Sequence, residues 1–285
     1  MLFPVLLYFI VFCYIPMFGN IMAFEDYSVG KGFLHSEWVG FRWFREFFSS
    51  VYFGRLIKNT LLISIYSLII GFPIPIIFAL LLNEIKDGPF KRVTQTISYL
   101  PHFISVVVVV GLLFNFLSPI DGVVNVLLKS MGKDAINFMS EPGWFRTLYI
   151  GSNIWQNFGW DSIIYLAALS SVDPQLYEAA QIDGAGKFKQ MLHVTLPAIM
   201  PTIIILLIMN VGNIMNVGFE KIILMYSPAT YETADVISTY VYRRGILGSQ
   251  FSFSASVGLF NSVINFALLF TVNKISNRVS EISLW

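Results

Sequence analysis

Five stretches of this sequence, 1–24, 59–83, 93–120, 190–219 and 245–273, contain no Asp, Glu, Lys or Arg. Each can cross a hydrocarbon layer of roughly 30 Å, which takes about 20 apolar residues. A sixth stretch, 146–170, is interrupted after Arg146 only by Asp161. Backbone groups in hydrocarbon have no water to bond, so isolated strands are excluded and each stretch is expected to be a helix. The predicted fold class is an all-α integral membrane protein. It is read as a single domain over 1–285 with six transmembrane helices, at about 1–24, 59–83, 97–117, 146–170, 201–225 and 253–273.

Composition agrees, with 56% hydrophobic, 16% aromatic and 12% charged residues, outside the pattern of soluble domains. A net charge of +1 offers nothing to attract nucleic acid. Cys13 is the lone cysteine and lies in an apolar stretch, so it is read as a packing residue with no internal disulfide. The first stretch has no basic leader and no Ala-x-Ala cleavage site, and Pro4, Pro16 and Gly19-Asn20 suit a permanent span rather than a removed signal. Met1 begins almost inside it, as expected where a cytoplasmic leader lies upstream. Basic residues are about equally dense on the two sides of a six-span layout, so the positive-inside rule leaves both orientations open.

The polar interval 171–200 reads as a short helix lying across the end of the bundle. Asp173 is a helix N-cap, Pro174 fits the first helical position, and Gly184 suits the left-handed conformation that closes helices. A second helical piece is expected from Lys187, closing before Pro197, with Pro201 starting the next span. Ala179 and Ala180 permit close approach by another surface, while Glu178 and Asp183 supply fixed charge. An ordinary capped loop helix has the same composition.

Glu178-Ala179-Ala180, then Asp183-Gly184-Ala185, then Val194, Leu196-Pro197 and Pro201 resemble the EAA motif of type I ABC importer permeases of the MetI-like superfamily. Val194 stands where isoleucine is usual. The Tyr99 to Ser105 run before the third span and the close of the chain, from Asn273 to Trp285, are similar to the oligosaccharide-importer branch, and more narrowly to LplB-like permeases that import polysaccharide fragments. The resemblance implies that 174–184 is a cytoplasmic coupling helix, in which Tyr177, Glu178, Ala179, Ala180, Asp183, Gly184 and Ala185 meet an ATPase. It also implies a second homologous permease chain, two ATP-binding subunits, an extracytoplasmic solute-binding lipoprotein and a bacterial cytoplasmic membrane. ATP and Mg would sit on the partner ATPase, with no cofactor in this chain.

Polar residues inside spans normally face protein or a water-filled path. Asn210, Asn213, Asn216 and Glu220 follow at steps of three, three and four, which predicts one helical face lining a substrate pathway. Interhelical hydrogen bonding is the competing use of such asparagines. Trp155, Gln156, Asn157 and Asp161 on the fourth span make a second candidate lining, because amides and aromatic faces suit sugar hydroxyls and C–H groups. Trp155 or Trp160 also fits a membrane-interface anchor. Asn261 and Asn265 are weaker candidates on the sixth span. On the orientation the resemblance implies, Asp235, Arg243 and Arg244 belong to an outer loop that meets a binding protein or simply faces solvent.

No GxxxxGK(S/T) loop or GxSxG elbow occurs, and His35, His102 and His193 lack metal-ligand spacing. The chain is therefore expected to be a transport subunit and not an enzyme, with no catalytic or metal residues. The rival is an ion- or proton-coupled secondary transporter using Asp161 and Glu220 as a relay. Such a carrier would have no need of an ATPase-docking helix.

Overall fold

The computed structural model describes residues 2–284; Met1 of the first predicted span and Trp285 of the closing run lie outside the described residues. Helices dominate. We number the principal ones α1 (Leu2–Phe24), α2 (Arg42–Ser49), α3 (Phe53–Glu84), α4 (Pro89–Phe103), α5 (Val106–Phe116), α6 (Val123–Ser130), α7 (Pro142–Ser170), α8 (Pro174–Ile182), α9 (Lys187–Gly212), α10 (Phe219–Met225) and α11 (Phe251–Ser280). Two short strands, β1 (Glu25–Asp26) and β2 (Glu37–Trp38), pair antiparallel beyond α1.

Four of these helices, α1, α3, α9 and α11, are long and apolar enough to cross a membrane. α4 and α5 make a fifth candidate only as a pair bent by 97°. The segment 97–117 is thus not a straight span. Pro101 sits in a tight terminal turn, Ile104 is extended, and the Ser105 side chain caps α5 by accepting from the Val108 N–H. α7 has crossing length, 29 residues or about 43 Å of helix, but it is more polar than the others.

Three of the long helices run through prolines in the same way. Wide π-turns at Ile10–Tyr14, Ser67–Gly71 and Met191–Thr195 precede Pro16, Pro73 and Pro197. In each case the carbonyl that proline would clash with, four residues back, lies inside the π-turn, where the backbone has already changed register. This explains why the helix begun at Lys187 does not close before Pro197. It continues through Pro197 and Pro201 to Gly212 as one 26-residue rod.

α7 is the central post. Tyr149 and Ile150 pack with Ile63, Ile222 and Met225, and further along Tyr165 and Leu169 pack with Ile76, Ala79 and Ile199. A third cluster gathers Phe47, Leu56, Phe253 and Val257 from α2, α3 and α11. α1 lies outside this core; its residues 2–18 are exposed, and it meets α11 through its last turns.

Candidate functional site

Two regions hold the residues singled out by the sequence. The first is α8. Asp173 Oδ1 accepts from the Gln175 N–H at 2.9 Å, and Pro174 opens the helix. The helix closes at Ile182, and Gly184 takes a left-handed φ of +74°. That turn lets the Ala185 N–H reach back to the Ala180 carbonyl at 2.9 Å. No residue of α8 is buried; Glu178, Ala179, Asp183 and Gly184 are exposed, and Tyr177, Ala180 and Ala185 are half-buried at its base.

The base is fixed at several points. Tyr177 Oη lies 3.1 Å from Thr195 Oγ1, Gln190 Nε2 donates to the Ala185 carbonyl at 2.7 Å, and Lys187 pairs with Glu84 at the end of α3 at 3.0 Å. Leu176, Ile182 and Phe188 remain exposed apolar side chains on this end. A small, capped helix is therefore held to the start of α9, which is itself pinned to the end of α3, with its outer face uncovered.

The second region is a pair of cavities sharing one wall. The first, of 440 Å³, lies between α3, α7 and α9 and is lined by Asn153, Asn157, Asp161, Asn210, Asn213 and Asn216 among others. The second, of 650 Å³, opens beside the bend between α4 and α5 and is lined by His102, Gln156, Asn157, Glu220 and Lys221 among others. Tyr149, Asn153, Asn157 and Gly218 border both.

The expected single stripe does not form. α9 ends at Gly212, and the chain is non-helical from Asn213 to Gly218. The helical step from Asn216 to Glu220 therefore does not apply, and Glu220 falls on α10 against the second cavity. Asn210 and Asn213 bond their own preceding turn, at the Leu206 and Met209 carbonyls. Asn216 accepts from Asn261 of α11 at 2.8 Å, and Asn265 accepts from the Met215 N–H at 3.1 Å, so part of the amide set ties helices together. Of the α7 candidates, Gln156, Asn157 and Asp161 line cavities, but Trp155 borders neither and is 45% exposed.

His102, Asn153 and Lys221 reach the cavities without having been singled out. Asn153 lies one turn before Asn157 on α7, a spacing visible in sequence. His102 Nδ1 lies 3.0 Å from Asn157 Oδ1, and its ring stacks on Trp160 at 4.5 Å. That contact depends on the crossing of α4 and α7, which no local pattern announces.

The loop expected to lie outside differs from expectation too. Asp235 is fully buried, and its Oδ2 takes Arg243 at 2.7 Å and Arg55 at 3.2 Å while Oδ1 accepts from Thr239. Asn59 joins the cluster by donating to the Glu232 and Asp235 carbonyls and accepting from Arg146. Burial opposes the charge on Arg243, but its hydrogen bonds to Asp235 and Tyr226 outweigh this and hold the guanidinium above its ordinary range. Arg244 is paired with Glu46 at 2.9 Å. Asp235 is thus an internal clasp and has no free face for a partner. Asp235→Asn keeps the shape but removes the counter-charge of two arginines that are a quarter to a third exposed. The expected cost is about 2 kcal/mol, read as a lower unfolding midpoint of the purified protein in detergent; an unchanged midpoint would refute the clasp.

Comparison with known proteins agrees with this geometry. A family model described as "Binding-protein-dependent transport system inner membrane component" matches residues 71–281. Protein LplB of Bacillus subtilis (strain 168) is 45% identical over 285 residues, covering 100% of this chain and 90% of that protein. The polygalacturonan/rhamnogalacturonan transport system permease protein YteP of the same organism is 44% identical over 281 residues, covering 99% of this chain and 88% of that one. A chain in the crystal structure of a bacterial alginate ABC transporter in complex with alginate pentasaccharide-bound periplasmic protein superposes with a TM-score of 0.92 at 47% identity, over 100% of this chain and 95% of that chain. A second structure, of a bacterial ABC transporter involved in the import of the acidic polysaccharide alginate, gives 0.91 at 48% identity, over 98% of this chain and 94% of that chain.

Proposed function

This chain belongs to the family of binding-protein-dependent transport system inner membrane components, as an integral membrane permease of an ATP-binding cassette importer, and from that premise we propose that it forms half of a translocation path for oligosaccharides in a bacterial cytoplasmic membrane. A second, homologous permease chain supplies the other half. Two ATPase subunits carry the ATP and Mg, and an extracytoplasmic lipoprotein delivers the sugar. The names of the relatives, which include a polygalacturonan/rhamnogalacturonan transport system and an alginate transporter, support the substrate class. The ion-coupled carrier has no support from any of them.

The observation that carries the reading is α8, capped at both ends, pinned at its base and uncovered on its outer face. In the proposed cycle ATP binding closes the ATPase dimer, and the 174–184 segment moves with it. Because Tyr177 ties the segment to α9, and Lys187 at the start of α9 ties that helix to the end of α3, the motion reaches the helices that wall the first cavity. ATP can drive the change only through its different affinity for the open and closed dimers. Along the path, amides of Asn153, Asn157, Asn210 and Asn213 offer donors and acceptors to sugar hydroxyls without a fixed charge.

The test is uptake into proteoliposomes. The assembled complex should import labelled oligosaccharide only with ATP inside and binding protein outside, and this chain alone should import none. Import by the isolated chain down an ion gradient would overturn the proposal. Within the same assay, Asn213→Leu should reduce uptake severalfold with the complex still assembled, since the Asn213 side chain bonds only near neighbours in the chain, Met209 and Asn216, and lines the first cavity. Collapse of assembly would assign it to packing instead.

A further inference from the structure

Lys221 follows Glu220 in the first turn of α10 and is 4% exposed, yet it lines the larger of the two cavities. Its ammonium has three protons to donate, and it bonds one neutral acceptor, Gln156 Oε1, at 3.3 Å. Among the described residues it enters no ion pair within 4.0 Å. Glu220 borders the same cavity but is exposed and makes no ion pair with Lys221. The Gln156 amide is itself committed, because its Nε2 donates to the Ile104 carbonyl at 2.8 Å, at the bend between α4 and α5, and this aims Oε1 at the lysine.

A buried ammonium with one long bond to an amide is poorly compensated, since removal from water is repaid only by close counter-charge and further hydrogen bonds. It faces open space of 650 Å³ whose wall carries Asn153 and Asn157, the same amides that border the smaller cavity. A single ammonium balances the one negative charge of a carboxylate, whereas a phosphate monoester carries close to two and would be left short of cation here.

We infer that Lys221 is a carboxylate-recognising subsite of the path, so that the oligosaccharide carried is anionic and contains uronate residues. The carboxylate meets Nζ, and the amides of Asn153 and Asn157 take neighbouring hydroxyls. Gln156 is the positioning residue, holding the ammonium and the α4–α5 bend to the same amide. This inference rests on the reading of the chain as an oligosaccharide permease.

The experiment uses the whole complex in proteoliposomes, with its binding protein, and two probes: a labelled uronate trisaccharide and its methyl ester. Wild type should import the uronate in preference to the ester. Lys221→Gln keeps a side chain able to bond Gln156 and removes the charge; it should lower the ratio of uronate to ester uptake roughly tenfold or more, the loss expected of a charge-assisted hydrogen bond. Lys221→Arg should restore most of that ratio. If wild type imports neither probe nor any neutral oligosaccharide, the permease reading itself fails and this inference falls with it. If wild type imports only neutral sugars, or if Lys221→Gln leaves the ratio unchanged, the subsite is refuted and the permease reading stands. Should Lys221→Gln stop the two permease chains from co-purifying, the ammonium instead meets a carboxylate of the partner chain and the subsite is equally refuted.

Discussion

Replacing Gly184 by valine is expected to leave the transporter assembled and hydrolysing ATP while lowering oligosaccharide uptake at least tenfold. A Cβ at this position would meet nothing within 4 Å, so the effect does not come from a clash. It comes from the backbone, which sits at φ +74°. Left-handed conformation costs an ordinary residue about 1–2 kcal/mol, and a β-branched one more. The chain can escape by rotating, but rotation breaks the bond from the Ala185 N–H to the Ala180 carbonyl. The end of α8 is then no longer fixed relative to α9, and movement of the ATPase is absorbed in a loose joint. Gly184→Asn should retain most of the uptake, since asparagine tolerates this conformation. Normal uptake by the valine variant would show that the joint transmits nothing.

The second large effect is expected at Gly159, where α7 crosses α4. A Cβ there would overlap the backbone carbonyl of Ser98, which cannot swing aside as a side chain would. Gly159→Ala must push two helices apart, at a cost of about 3 kcal/mol, the upper end for overpacking; Gly159→Val should yield almost no monodisperse complex. The site is affected with the fold. The stack of His102 on Trp160 and the bond between His102 and Asn157 both span this crossing. A thermal unfolding series with Gly159, alanine and valine checks the prediction, and equal midpoints would contradict the close approach.

These two glycines mark the limits of what the sequence discloses. Gly184 is legible because its role is local: Asp173-Pro174 starts a helix, small residues fill it, and a glycine follows at the distance where a helix of that length must stop. The long uncharged stretches are legible for a similar reason, since hydrocarbon leaves the backbone one inexpensive conformation. Gly159 is not legible, because nothing near it in sequence says that Ser98 lies against it. The same holds for the pairing of Asp235 with Arg55, 180 residues away, although its other partner Arg243 lies eight residues on.

Helix interruptions are less legible in the sequence than helix positions. Proline before a span suggested a stop at Pro197, yet a π-turn four residues upstream lets the helix continue. Conversely, nothing apolar warns of the bend at Ile104, although Pro101 and the capping Ser105 are both visible. The asparagine register failed for a related reason. Steps of three and four define a face only while the helix lasts, and α9 ends at Gly212, before three of the four residues expected on that face.

The claim at the centre of this reading is that α8 meets a cytosolic ATPase. Ile182 is 88% exposed at the tip of the helix, and Cys13 is the lone native cysteine. Ile182→Cys on a Cys13→Ser background gives a single attachment point for a thiol-linked photoreactive probe. Irradiation of the assembled transporter in membranes should yield one adduct between this chain and the ATPase subunit, with a yield that changes when ATP is added. Adducts with lipid alone, or no adduct to the ATPase under any nucleotide condition, would contradict it.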